Sequence, residues 1–236
     1  MPAEAATATS PEIRSKLALV LDFDDLVPAM RLARDLRPYF AVAKVGLELY
    51  AAAGPDAISS LADLGYDVFV DLKLLDIPTT VARAARVLGA LGARYATLHA
   101  RGDIPVLQAG VEGLREGAER AGLPDPYPIA VTVLTSDTGA PAHIFPHRVA
   151  LAAETGCRGI VCSAPDLVEA RQLAPRLLRV VAGVRREGTD VHDQARPTTP
   201  RAALDGGADL LLIGRTVTQA DAPVAAAEEL VAELAG

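Results

Sequence analysis

Eight short apolar runs recur along the 236-residue chain with helical segments between them, and this alternation restricts the fold more than any other feature. The runs are KLALVLDF from Lys16, AVAKVGLEL from Ala41, DVFVDLK from Asp67, YATLHA from Tyr95, YPIAVTVLT from Tyr127, GIVCSA from Gly159, LRVVAGV from Leu178 and, near the C-terminal end, LLLIGR. Near-continuous Val, Ile, Leu and Ala suit strands covered on both faces, as in a parallel sheet. Between them, TTVARAARVLGALGA and IPVLQAGVEGLREGAERAG show helical periodicity and carry Gly near their ends, a usual helix stop. Eight such alternations predict an α/β protein, a single TIM (β/α)8 barrel, with an open doubly wound sheet as the alternative. No break in composition marks a second domain. Residues 13–236 read as the barrel, and residues 1–12, MPAEAATATSPE, as a flexible N-terminal arm.

In a barrel, chemistry sits at the C-terminal ends of the strands. Those ends carry Asp22, Lys44, Asp71 with Lys73, His99, Thr135, Ser163, Arg185 and Arg215, so each apolar run finishes in a polar or charged residue. Asp71 and Lys73 are two apart, a spacing that puts both on one face of a strand. Lys44, ending the preceding strand, is their expected neighbour, and Asp76 follows three residues after Lys73 in the loop. Buried ion pairs are poor stabilisers because desolvation can exceed the Coulombic gain, so charges of both signs at the mouth of an apolar element point to function. At the other end of the chain, Gly214 and Arg215 close the last run just before a helix, and backbone N–H groups plus one Arg make a phosphate cradle in barrels. Between Val184 and Thr198 lies the polar stretch RREGTDVHDQARP, and an irregular segment of that length is more often functional than idle.

Composition removes several function classes. A net charge of -7 leaves no basic stripe to neutralise phosphates, so no nucleic-acid partner is expected. The opening residues lack the basic flank and apolar core of a signal peptide, and no run is long enough to cross a bilayer, so no membrane partner is expected. The two cysteines, Cys157 and Cys162, suit a reducing cytoplasm and are too few for a four-thiolate zinc site. His143 and His147 are four apart, but Pro146 is expected to interrupt a helix between them and no third ligand is evident, so no metal is expected. No Gly-rich dinucleotide fingerprint or Walker loop appears, so no cofactor is expected either. His99 reads as a rim hydrogen-bonder and Cys162 as a packed strand thiol.

The stretch DLKLLDIPTT, residues 71–80, resembles the active-site signature of the orotidine 5'-phosphate decarboxylase family. LVLDFDD, AVAKVGLELY, ATLHA, VTVLTS, GIVCSAPD, GVRREGTDVHDQARPTTP and DLLLIGRTVTQADAPVAA resemble family segments in the same order, from Leu19 nearly to the C-terminus. The resemblance implies cofactor-free conversion of orotidine 5'-phosphate to UMP, the last step of de novo pyrimidine nucleotide synthesis. It implies Lys73 as proton donor, Asp71 holding Lys73, Lys44 bridging Asp71 and the ribose hydroxyls, and Asp22 as a ribose-binding acid. It implies a homodimer in which Asp76, with Ile77 and Thr80, serves the neighbouring subunit's site. Gln194, Arg185, Gly214 and Arg215 are implied at the phosphate, under a lid formed by the polar stretch. Thr135 is implied at the pyrimidine, with Ser136 the alternative donor. The chain departs from the family pattern at Leu74, Leu75, Thr79, Ala182 and Thr216, and none of these changes removes a charged group. The rival expectations are a magnesium-dependent phosphosugar enzyme on the same barrel and a non-catalytic nucleotide-binding barrel. The LTS, DQAR and IGRTVTQ segments favour the pyrimidine enzyme over the first, and the complete charge set argues against the second.

Overall fold

The computed structural model describes residues 9–137, 139–185 and 198–236. Eight parallel strands close into a barrel in sequence order: β1 (Leu17–Leu21), β2 (Val42–Val45), β3 (Asp67–Leu74), β4 (Ala93–His99), β5 (Tyr127–Val131), β6 (Gly159–Cys162), β7 (Leu178–Val181) and β8 (Leu210–Ile213). Pairing of Leu17 with Leu211 and Ala18 with Leu212 joins β1 to β8 and leaves no sheet edge. The expected TIM barrel is therefore present, and the open sheet is not.

Two strand expectations are too long. AVAKVGLEL changes element at Gly46, with Leu47–Ala53 forming a helix, and YPIAVTVLT leaves the sheet after Val131. In the second case Thr132 caps the strand end, its hydroxyl donating to the Val161 carbonyl oxygen at 2.7 Å, and Leu134–Asp137 then turn. The helix Ile144–Glu154 also corrects an expectation: Pro146 lies in its first turn, where no intrahelical N–H is needed, and does not interrupt it.

Period-two alternation along the strands divides the apolar residues between two layers. Leu17, Leu19 and Leu21 point outward and pack with the helices, in one cluster with Ala43, Val45, Val68 and Val70. Ala18, Val42, Phe69, Ile129, Val180, Leu210 and Leu212 point inward and fill the barrel, with Val20, Tyr95 and Tyr127 against them. Phe69, Tyr95 and Tyr127 form a line of rings with centroids 5.5 and 5.2 Å apart. This apolar filling is the floor on which the inward residues nearer the C-terminal ends rest.

The helix Pro78–Ala90 packs against Asp103–Arg120 through glycine. A Cβ at Gly117 would collide with the Arg86 carbonyl oxygen, and one at Gly113 with that of Ala82. Ala would gain roughly 1 kcal/mol in helix propensity, but overpacking against backbone costs up to about 3 kcal/mol. Gly117→Ala should therefore lower stability by about 2 kcal/mol net, read as a lower urea midpoint at unchanged m. An unchanged midpoint would contradict this close-packed contact.

Candidate active site

The inward register continues upward into charge. Ala18 and Val20 lead to Asp22, Val42 leads to Lys44, Phe69 to Asp71, and Tyr95 to Thr97 and His99. Lys44 Nζ lies 3.4 Å from both Asp22 Oδ1 and Asp71 Oδ2, and Lys73 Nζ lies 2.9 Å from Asp71 Oδ1. Four expected residues thus form one line of alternating sign, Asp22–Lys44–Asp71–Lys73. Its middle is buried, Lys44 and Asp71 each being 7% exposed, while the Lys73 side chain is a third exposed. Gly46 makes room for it. A Cβ there would collide with Asp22 Oδ1 and sit 3.0 Å from Lys44 Nζ. Its backbone, at φ -87° and ψ -176°, suits any residue, so space is what requires glycine.

Asp71 and Lys73 meet as expected, but not on a regular strand. Lys73 has φ 52°, in the left-handed region, and the register of β3 against β4 shifts between Val70 and Leu74. At this bulge the Lys73 backbone N–H donates to Thr97 Oγ1 at 2.8 Å, and the Thr97 hydroxyl donates to Asp71 Oδ1 at 3.0 Å. Sequence reasoning missed Thr97, although its place two residues before His99 in ATLHA put it on the inward face. Burial by itself pushes the Asp71 carboxyl up; the Lys44 and Lys73 ammoniums and the hydrogen bonds from Lys73 and Thr97 outweigh it and hold the group below its usual value. His99 is pushed down, first by burial and then by Arg148, Arg101 and Lys73, and its Nδ1 accepts the Arg101 N–H at 3.3 Å.

A cavity of about 440 Å³ opens beside the charged line and is bounded by Asp22, Lys44, Asp71, Arg185, Gly214 and Arg215. Arg185 is 8% exposed, whereas loop cations usually face solvent. Its N–H donates to the Thr198 carbonyl oxygen at 2.8 Å, and Val184 bridges Thr198, so the ends of the polar stretch are held together. Gln194 lies outside the described residues. Ala182, Glu48 and Gln219 also border the cavity. Glu48 was hidden in a run read as strand, and it arrives through the helix Leu47–Ala53. A larger cavity, about 520 Å³, lies at the opposite end of the barrel beside Tyr127, Arg158 and Leu178, where strands begin. The charged line decides between the two, because only the smaller cavity touches it.

Other expected residues stand apart from this cavity. Thr135 is half-buried in the turn after β5, with Ser136 exposed beside it, and neither borders the cavity. Asp76, Ile77 and Thr80 are exposed on the rim, and Asp76 Oδ1 accepts the Ile77 N–H at 2.7 Å. Among the described residues, Asp76 makes no ion pair. Cys157 and Cys162 are buried, which pushes their thiols up to about 11 and about 12, so neither is poised as a nucleophile. Among the described residues no group of three His, Cys, Asp or Glu side chains could hold a metal ion, and no helix is long and apolar enough to cross a membrane.

Chemically, the arrangement lines one side of the cavity with Lys44 and the buried Asp71, against which Lys73 is held although it does not itself line the cavity, and the other side with two arginines. It suits an anionic ligand whose reacting atom becomes negatively charged near Lys73. Comparison with known proteins agrees with that chemistry. The model of the orotidine 5'-phosphate decarboxylase / HUMPS family matches residues 15–230. The orotidine 5'-phosphate decarboxylase of Moorella thermoacetica is 41% identical over 94% of this chain and 92% of its own. That of Thermobifida fusca is also 41% identical, over 92% of this chain and 95% of its own. The crystal structure of the Lactobacillus acidophilus orotidine 5'-phosphate decarboxylase superposes with a TM-score of 0.79 at 30% identity, covering 93% of this chain and 99% of that one. The chain belongs to the orotidine 5'-phosphate decarboxylase / HUMPS family.

The charged line makes a titration prediction. Lys44 heads the influences that hold Asp71 down, so Lys44→Met should raise the Asp71 carboxyl pKa in a side-chain 13C NMR titration. A carboxyl depressed on folding contributes stability above its unfolded value, about 4, and loses that contribution as pH falls through the folded value. The variant's acid unfolding midpoint should therefore move to higher pH. An Asp71 titration that ignores the substitution would contradict the geometry.

Proposed function

We propose that this protein decarboxylates orotidine 5'-phosphate to UMP, the last step of de novo pyrimidine nucleotide synthesis, as a cytoplasmic homodimer that uses neither metal nor cofactor. The observation that carries the reading is the Lys73 ammonium held 2.9 Å from the Asp71 carboxylate, which is buried and borders an arginine-lined cavity. The names of the Moorella and Thermobifida relatives, both orotidine 5'-phosphate decarboxylases, support the same substrate.

In this reaction the bond between C6 and the carboxylate carbon breaks, and its electron pair stays on C6. That pair lies in the ring plane and cannot delocalise into the π system. Fixed charge has to stabilise it, and a preorganised cation in a dry site does so without reorganising at the moment of reaction. Lys73 stabilises the carbanion and then transfers its proton to C6; solvent restores the proton after product leaves. Asp71 holds Lys73 and faces the substrate carboxylate, while Lys44 and Asp22 meet the ribose hydroxyls. Arg215, Arg185, Gln194 and the backbone at Gly214 hold the phosphate, and Thr135 or Ser136 meets the pyrimidine. Phosphate contacts remote from C6 supply binding energy that is expressed in the chemical step.

The dimer reading rests on the Asp76 rim. Asp76, Ile77 and Thr80 face solvent on their own subunit, with Ile77 66% exposed, and this suits residues that complete a partner's site. The cytoplasmic reading is supported by the two free, buried thiols.

Following the loss of orotidine 5'-phosphate absorbance tests the reaction. Turnover should be unchanged by exhaustive chelation of divalent metal; loss to chelator with recovery on adding magnesium would move the protein to the phosphosugar enzymes of the same barrel. Lys73→Ala should lower kcat by more than about 100-fold while UMP affinity stays close to wild type, since product presents neither the carbanion nor the missing proton. A kcat within about tenfold of wild type would remove Lys73 from its role.

Subunit mixing tests the shared site. Homodimers of Lys73→Ala and of Asp76→Ala should both be nearly inactive. Their heterodimer has one doubly damaged site and one intact site. Exchange at equal amounts makes about half the dimers mixed, so roughly a quarter of all sites become native, as two-fold symmetry requires. Activity should rise in step with exchange, and verified exchange without recovery would reject the cross-subunit role of Asp76.

A further inference from the structure

Thr97 is 1% exposed and sits on β4 beneath the charged line, too deep to touch a ligand. Its hydroxyl makes two hydrogen bonds whose directions are fixed by chemistry. The Lys73 backbone N–H can only donate to it, at 2.8 Å, and a carboxylate can only accept from it, so its one proton goes to Asp71 Oδ1, at 3.0 Å. One small side chain therefore grips the backbone of Lys73 and the carboxylate of Asp71 together.

Both grips fall where the structure is otherwise unfavourable. Lys73 has φ 52°, a conformation that residues with a side chain seldom adopt, at the point where β3 loses its register against β4. The partner of its N–H there is the Thr97 side chain. Asp71 Oδ1 receives both the Thr97 hydroxyl and the Lys73 ammonium, while Oδ2 faces Lys44. The rotation of the carboxylate, and with it the position of the Lys73 ammonium, is set from below by Thr97.

We propose that Thr97 is a positioning residue for proton transfer: its hydroxyl locks the left-handed turn at Lys73 and the rotation of Asp71, and so places the ammonium where charge develops on the substrate. The proposal rests on the decarboxylase reading above. It requires the hydroxyl and not merely the volume of the side chain. It also requires the loss to fall on kcat and not on KM, because the hydrogen bonds of Thr97 go to Lys73 and Asp71 and not to the residues assigned to the phosphate and ribose.

Three purified full-length variants decide it. Wild-type turnover is measured first, since its absence would overturn the decarboxylase reading and this proposal with it. Given turnover, Thr97→Val, which keeps the shape and removes both hydrogen bonds, should lower kcat by about 10- to 100-fold with KM little changed. Thr97→Ser, which restores the hydroxyl, should stay within about threefold of wild-type kcat. Thr97→Cys weakens both hydrogen bonds in a small side chain, and it carries the expectation of the valine variant should that protein not fold. The Asp71 carboxyl should titrate higher in the valine or cysteine variant than in wild type, a readout that loss of packing alone would not move. With wild type active, a valine or cysteine variant whose kcat stays within about threefold overturns the proposal. So does a loss confined to KM, or a serine variant as impaired as the valine one.

Discussion

A carboxylate buried between two ammonium groups is the constraint around which the rest of the site is arranged. Asp71 lies almost wholly out of water, and burial alone would favour its neutral form. Lys44 on one side, Lys73 on the other and the Thr97 hydroxyl together reverse that preference. Removing any one of them leaves a buried charge less well compensated, and such losses exceed what an intact pair adds to stability. The same volume filled with apolar side chains would hold the barrel together at least as well. The arrangement makes sense as a device for presenting a cation, held rigidly, to something that arrives in the cavity.

The barrel supplies what such a device needs. Closure of β1 on β8 fixes the strand ends relative to one another, so side chains from β1, β2, β3 and β4 meet with little freedom to drift. Beneath them the inward layer built on Phe69, Tyr95 and Tyr127 is apolar. That keeps the local dielectric low and strengthens each interaction above it. The cavity is polarised along its length, with Lys44 and Asp71 toward β2 and β3 and Arg185 and Arg215 toward β7 and β8. On the proposed reading, a ligand bound by its phosphate at the second end is held with its other end at the first. Geometry of this kind turns binding energy into orientation.

Much of this was legible in the sequence, for a physical reason. Strands covered on both faces read as apolar runs, and of the residues that the C-terminal-end rule then selects, Asp22, Lys44, Asp71, Arg185 and Arg215 border one cavity, whereas Lys73, His99, Thr135 and Ser163 do not. What was not legible depends on where regular structure stops. AVAKVGLEL carries one charged residue among apolar ones on each side of Gly46, so composition did not reveal the change from strand to helix that brings Glu48 to the cavity. The extra apolar residues after Val131 concealed the turn that takes Thr135 away from it. The spacing of Asp71 and Lys73 brought the right pair together on the assumption of a regular strand, whereas the backbone bulges there with Lys73 left-handed. Periodicity carries no signal for a bulge, and the hydroxyl that satisfies it, on Thr97, looks like any strand threonine until β3 and β4 are seen side by side.

In the proposed reaction, the Asp71-anchored ammonium of Lys73 is organised for negative charge at one carbon of the ligand. The most direct test is the affinity of UMP compared with that of a UMP carrying an oxyanion at C6, measured by calorimetry in wild type and in Lys73→Ala. Wild type should bind the oxyanion at least about 100-fold more tightly than UMP, as expected for a transition-state mimic. Lys73→Ala should lose most of that preference while binding UMP as before. A preference that survives the loss of Lys73 would contradict that role.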